Sequence, residues 1–243
     1  MKKLLFPFLF VASILLISCG PDQDADTIIN KSIEVSGMAD LDGKEISFDF
    51  RGKKYTSERN NGRFKFTRTT KDSSVIVDVL TNDGFQRKID GRPIYLADTT
   101  ADKFKNSVNS VHYFANLPFG LNGGAVNKEL LGQVDIKGDT YFKIKVWFDE
   151  EGGGEDFEDV FIYWINNVTY KVDYLAYEYH VNEGGMRFRE AYKRRVVNGI
   201  DFVDYNNYKP KSKDVKLENL DELFEKGELE LLSKIILENI EVK

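Results

Sequence analysis

Two histidines, His112 and His180, hold most of this chain's capacity for proton transfer near neutral pH, because imidazole is the side chain that titrates there unaided. His180 stands among charged neighbours. If Asn182-Glu183-Gly184-Gly185 is a hairpin turn, His180 faces Arg187, Glu178 faces Arg189, Asp173 faces Arg194 and Tyr179 meets Phe188. Such a cluster suits an anionic group held by paired guanidiniums, or equally a salt-bridged sheet face. An acid–base pair for a hydrolase or lyase would be His180 with Glu178 or Asp156. His112, beside Val111 and Tyr113, reads as a partly exposed helix residue.

Seven acidic residues fall between Asp149 and Asp159, around Gly152-Gly153-Gly154. Oxygen-rich flexible loops suit Ca²⁺, but the twelve-residue EF-hand spacing is absent. A solvated hairpin loop is the simpler reading, so no metal ligand and no cofactor is assigned. The sequence contains no G-x-S-x-G elbow, P-loop, dinucleotide fingerprint or H-E-x-x-H, so no catalytic residue is assigned either.

Cys19 is the only cysteine among 243 residues. That excludes disulfides and thiolate metal sites. It ends a segment with Lys2 and Lys3 at the start and an apolar stretch from Leu4 to Ile17, too short to span a bilayer well. Leu16-Ile17-Ser18-Cys19 resembles the lipobox cut by lipoprotein signal peptidase. The resemblance implies a signal peptide over 1–18, acylation of Cys19 and a lipidated tether over 19–25. Several acyl chains anchor a protein stably, each buried methylene contributing about 0.8 kcal/mol. Gly20, rather than Asp, follows the cysteine, which points to the outer membrane, facing either the periplasm or the cell surface.

Composition narrows the rest. A net charge of −6 argues against nucleic acid as a partner, since phosphates demand a basic face. With 18 Phe and 12 Tyr the chain is no disordered polymer. One long apolar run rules out a polytopic membrane protein.

Residues 26–243 read as a single domain, mainly β with a few helices. Asp26 is placed to cap a helix from Thr27 to about Val35, with Gly37 as its stop. From Glu45 the apolar period becomes two, with Ile46, Phe48 and Phe50 on one face. Asn61-Gly62, Asp90-Gly91 and Asn198-Gly199 are hairpin signals, and the last sets Lys193 opposite Asp204 and Tyr192 opposite Tyr205. Ala101 to Ala115 reads as a helix with Phe104, Val108, Val111 and Ala115 on one stripe. Further strands run at about 128–136, 140–148, 159–165, 169–181, 186–197 and 200–208. Asp221–Gly227 looks like one or two helical turns, and Leu231–Val242 is a closing strand or a helix continuation. About a dozen antiparallel strands without βα alternation predict one long, strongly curved meander, with a helix over its concave face.

Val160, Ile162 and Trp164 alternate with Phe161, Tyr163 and Ile165. A strand apolar on both faces must be covered on both, or must line a cavity. The lipobox, short first helix, bent meander and mid-chain helix together resemble the LolA/LolB/LppX type of half-barrel, which carries lipid or acyl chains between sheet and helix. The stretches Ile46–Tyr55, Gly152–Trp164, Met186–Tyr192 and Gly199–Pro210 are similar to an uncharacterised family of Gram-negative outer-membrane lipoproteins, which implies no activity. The resulting expectation is a lipid-like ligand against Phe48, Phe50, Phe64 and Phe66 of the sheet and Phe104, Val108 and Val111 of the helix. His180, Arg187 and Arg189 would meet its headgroup. The alternatives are a structural or surface-interaction lipoprotein without ligand, and the His180 hydrolase or lyase.

Overall fold

The computed structural model describes residues 23–153, 157–180, 184–212 and 214–243. The expected signal segment with Cys19, Asp156 and the Asn182-Glu183 part of the expected turn lie outside the described residues.

The first helix, α1 (Ala25–Val35), starts two residues before the expected Thr27. Asp24, not Asp26, is the cap: its carboxylate accepts from the Thr27 N–H at 2.7 Å. Asp26 lies in the first turn and pairs with Lys128 at 2.8 Å. Ile28, Ile29 and Ile33 are buried on one face. Gly37 then turns the chain with φ +69°, and a Cβ there would stand 2.0 Å from the Gly199 carbonyl oxygen. Only glycine allows both that backbone and that approach. The contact docks α1 on the Asn198-Gly199 turn, where the Asp201 N–H donates to the Ser36 carbonyl at 3.0 Å.

Strands β1 (Glu45–Phe50), β2 (Lys53–Asn60), β3 (Arg63–Lys71), β4 (Val75–Thr81), β5 (Gly84–Ile89) and β6 (Arg92–Ile94) follow as antiparallel neighbours. Asn61-Gly62 and Asp90-Gly91 both have positive φ at their two residues, as type I′ turns require. Helix α2 (Asp98–Ala115) then crosses to β7 (Val126–Ile136), β8 (Asp139–Phe148), β9 (Val160–Asn166), β10 (Val172–Tyr179), β11 (Gly185–Val197) and β12 (Ile200–Pro210). The short helix α3 (Leu220–Glu225) precedes β13 (Leu229–Ile235) and β14 (Glu238–Val242).

The expected single meander is divided into two seven-stranded antiparallel sheets, ordered β14-β1-β2-β3-β4-β5-β6 and β13-β12-β11-β10-β9-β8-β7. The cause is the C-terminal segment, a bent pair of strands rather than one. It breaks at Ile236-Leu237, so that β13 pairs with β12 while β14 pairs with β1. Buried Leu237 marks the seam: its N–H donates to Asp204 at 2.9 Å, and its carbonyl accepts from Arg195, which also grips Asp204. The outer edges β6 and β7 do not pair with each other, so the curve stays open. One core takes side chains from both sheets, from α1 and from the end of α2, and this shared face is the concave one. A second core lies on the other face of the β7–β13 sheet, under Leu217, Leu220 and Phe224. Strand β9 is therefore covered on both faces, Phe161, Tyr163 and Ile165 in the first core and Ile162 and Trp164 in the second.

Lys193 stands opposite Asp204 as expected. Tyr192 falls in an irregularity between Ala191 and Lys193, so Tyr205 pairs with Ala191 instead. The β10–β11 ladder differs more. Glu178 lies opposite Met186, Tyr177 opposite Arg187, Ala176 opposite Phe188 and Leu175 opposite Arg189. The ladder ends at Tyr179 opposite Gly185, where a Cβ would stand 3.0 Å from the Tyr179 hydroxyl. Gly185 thus serves the ladder, beneath a tyrosine, and is not part of the turn. Asp173 and Arg194 still meet, at 2.7 Å.

Candidate functional site

The geometry of the concave face follows from how α2 meets the two sheets. Val108, His112 and Ala115, spaced four and three apart, are its buried residues. Val108 packs with Phe66 and Leu80 of the first sheet. His112 is fully buried, not partly exposed: its ring stacks on Phe66 at 4.6 Å and meets Phe48 and Tyr55 edge-on. Its Nε2 lies 3.2 Å from the Thr67 carbonyl, and Nδ1 is buried without a partner among the described residues. Burial pushes its pKa down to about 3, so the ring is neutral and Nε2–H donates. Phe104, near the start of α2, covers the Arg87 guanidinium at 3.4 Å. Below it Arg87 and Arg68 share the buried Asp78, both at 2.6 Å.

Toward the second sheet α2 presents Tyr113 and Phe114. The Tyr113 hydroxyl is 2.7 Å from that of Tyr163, and burial pushes both phenols well above their usual range. Phe114 packs on Tyr177 at 5.0 Å and Phe161 at 6.3 Å. Here helix and sheet stand apart. A cavity of about 610 Å³ opens between them, lined by Tyr113, Phe114, Phe148, Phe161, Tyr177 and Tyr179, with Asp159, Lys103 and Asn106 among its polar residues. A smaller one of about 230 Å³ lies at the seam of the sheets, lined among others by Phe50, Arg51, Val111, Arg189, Tyr205 and Ile235. Ser110 and Phe114 border both. The larger volume lies within the range of small-molecule sites, and aromatic and polar residues share its lining in about equal number.

Of the expected ligand residues, Phe50, Val111 and Arg189 line the smaller cavity. Phe48, Phe64, Phe66, Phe104 and Val108 border neither, because α2 closes directly on β3, β4 and β5 and leaves no space. The headgroup trio is dispersed. His180 is 57% exposed, 4.0 Å from Asp159, and lines neither cavity. Arg187 lies over the Tyr179 ring at 5.0 Å and donates to the Met186 carbonyl. Neither faces the other, since the shifted ladder sets Arg187 opposite Tyr177. The larger cavity's aromatics did not stand out as ligand residues in the sequence. The available signal was β9 itself, whose two apolar faces placed Phe161 where a cavity was one of two options.

No helix among the described residues is long and apolar enough to cross a membrane, and no group of three or more His, Cys, Asp or Glu among them could hold a metal ion. Among solved structures, the chain is similar to a LolA superfamily protein, NE2245 from Nitrosomonas europaea, at 11% identity and a TM-score of 0.48, over 91% of this chain and 92% of that one. A DUF1329 family protein from Desulfovibrio piger matches at 9% identity and a TM-score of 0.41, over 89% and 90%. The lipoprotein LppX of Mycobacterium tuberculosis matches at 13% and 0.28, over 67% and 92%. No curated protein matches in sequence. Over residues 3–239 the chain matches DUF6503, a family of unknown function, and it belongs to that family.

Proposed function

We propose that this member of the DUF6503 family is a membrane-anchored envelope lipoprotein that holds a lipid-like apolar ligand between α2 and the second sheet. The observation that carries the reading is the cavity of about 610 Å³ walled by Tyr113, Phe114, Phe148, Phe161, Tyr177 and Tyr179. Burying apolar ligand surface against such a wall is favourable by about 25 cal/mol per Å², before the cost of ordering the ligand. The tyrosines suit an amphiphile, because each combines an apolar ring with a hydroxyl that needs a polar partner or water. Anchoring follows from the lipobox at Cys19, and the outer membrane from Gly20 after it. Cys19→Ser is expected to move the protein from the membrane to the soluble envelope fraction; continued membrane association would overturn the anchor.

A neutral apolar fluorophore such as N-phenyl-1-naphthylamine tests the cavity. The wild-type chain should bind it saturably at one site. Phe148, at the wall and edge-on to Phe161 at 5.8 Å, gives the matching pair of variants. Phe148→Glu should weaken binding at least tenfold, and Phe148→Leu should largely preserve it. A folded wild type that binds no probe favours the alternative, a surface-interaction lipoprotein whose aromatics are simply core.

A further inference from the structure

Arg189, on β11, is a buried cation. It is 7% exposed, yet no carboxylate among the described residues pairs with it. Its guanidinium lies 3.6 Å from the Phe114 ring and 5.2 Å from that of Tyr177, and Nη2 donates to the Tyr177 hydroxyl at 3.0 Å. Nε is buried with no acceptor. By contrast, Arg68 and Arg87 share Asp78, Arg194 meets Asp173 and Asp201, and Arg195 meets Asp204. Arg59 also lies over aromatic rings, those of Phe66 and Phe119, but it borders neither cavity. Aromatic faces offset only part of the cost of desolvating a guanidinium. Among the described residues Arg189 is therefore the one buried guanidinium without a carboxylate partner, its charge met by two rings and the Tyr177 hydroxyl.

What faces it is the cavity of about 230 Å³. Arg51 stands at its rim, and neither Asp nor Glu lines it. Asn207 lines it too, with its Oδ1 also buried and unpartnered and its Nδ2 donating weakly to Ser233 at 3.3 Å. Two guanidiniums and an amide side chain thus line a cavity that neither Asp nor Glu lines. Phe114 is the common wall to the larger, aromatic cavity.

We propose that the smaller cavity seats the acidic headgroup, carboxylate or phosphate, of a single-chain amphiphile whose tail lies beyond Phe114 in the larger cavity. The small volume fits a compact head, and the larger one holds a single apolar chain of modest size. This deepens the reading of the larger cavity as a lipid site and rests on it.

The test compares hexadecanoate with hexadecanol, which share a chain and differ in head, using the fluorophore displaced from the mature protein. Hexadecanoate should bind wild type about ten- to a hundredfold more tightly, the range for a hydrogen bond to a charged group. Arg189→Met should close that gap while leaving hexadecanol affinity unchanged, and Arg189→Lys should keep part of it. Without ligand, Arg189→Met should also melt at a higher temperature than wild type, because a buried unpaired charge is replaced by an apolar chain of similar length. Equal affinities for the two chains in wild type, or a gap that survives Arg189→Met, would overturn the headgroup assignment and leave the apolar site intact. Acetate or inorganic phosphate binding as tightly as hexadecanoate would show a small-anion site and overturn the amphiphile. Failure of both chains to bind wild type would remove the lipid reading and this inference with it.

Discussion

Helix α2 has two different relationships with the molecule it crosses. Against the first sheet it is sealed: Val108 packs with Phe66 and Leu80, His112 stacks on Phe66, and the buried Asp78 is shared by Arg68 and Arg87. Against the second sheet it stands off, and the same kinds of residue, phenylalanine, tyrosine and arginine, line space. Residue type therefore does not distinguish a wall from a core in this protein. The distinguishing features are whether the facing strands come within packing distance, and whether the buried guanidinium, Arg68 on one side and Arg189 on the other, meets a carboxylate among the described residues.

Substitutions on the two sides should separate these roles, and the largest effect belongs to the sealed side. Asp78→Ala leaves two guanidiniums without their shared carboxylate, and should cost about 3–5 kcal/mol of stability, read as a lowered midpoint in urea. A cost below about 1 kcal/mol would mean that this half opens to water easily. Next, Phe66→Ala should cost about 3 kcal/mol or more, as cavity-forming aromatic truncations do. Its folded fraction should still bind apolar probe as wild type does. Phe114→Ala should show the reverse, about 1 kcal/mol in stability and a clear change in probe affinity. Matching profiles for the two variants would erase the distinction between the halves.

A smaller effect, confined to the sealed half, depends on pH. His112 has a folded pKa pushed down to about 3 against about 6.5 unfolded. The unfolded chain therefore takes up the proton first as pH falls. Stability from keeping this ring neutral is complete above pH 6.5 and is lost on descending from there toward 3, by about 1.4 kcal/mol per pH unit. Wild type and His112→Gln, measured in parallel by urea titration between pH 7 and 4, should differ by that slope; parallel curves would mean that water reaches the ring. The smallest effect is at the rim, where Arg63 and Asp83 pair at 2.8 Å while both are largely exposed. Arg63→Ala should change stability by no more than about 1 kcal/mol.

Much of the architecture was legible because it is written in local signals. Asn61-Gly62 and Asp90-Gly91 specified their turns, the alternation from Glu45 specified β1, and Lys193 opposite Asp204 fixed the β11–β12 register. The division into two sheets was not, since nothing within Leu231–Val242 says that its halves serve different partners; that follows from the curvature of the whole. The β10–β11 register was missed because Gly184-Gly185 looks like turn material, whereas Gly185 is needed under Tyr179. The site was legible in kind more than in place. Sequence periodicity put Phe66, Val108 and their neighbours on faces that do converge. Their lack of free space depends on how closely α2 approaches, and no pattern of residue types encodes that distance. Arg189 was visible as a cation in the sequence; its want of a carboxylate could be seen only once its neighbours were placed.

Native mass spectrometry of the chain from Gly20 onward, produced in a Gram-negative envelope and purified without detergent, decides whether the larger cavity holds a ligand. One small apolar or amphiphilic molecule per protein is expected, retained in the wild type and lost from Phe148→Glu. A folded wild type that carries no bound mass, and that takes up none when offered a lipid extract, would contradict it.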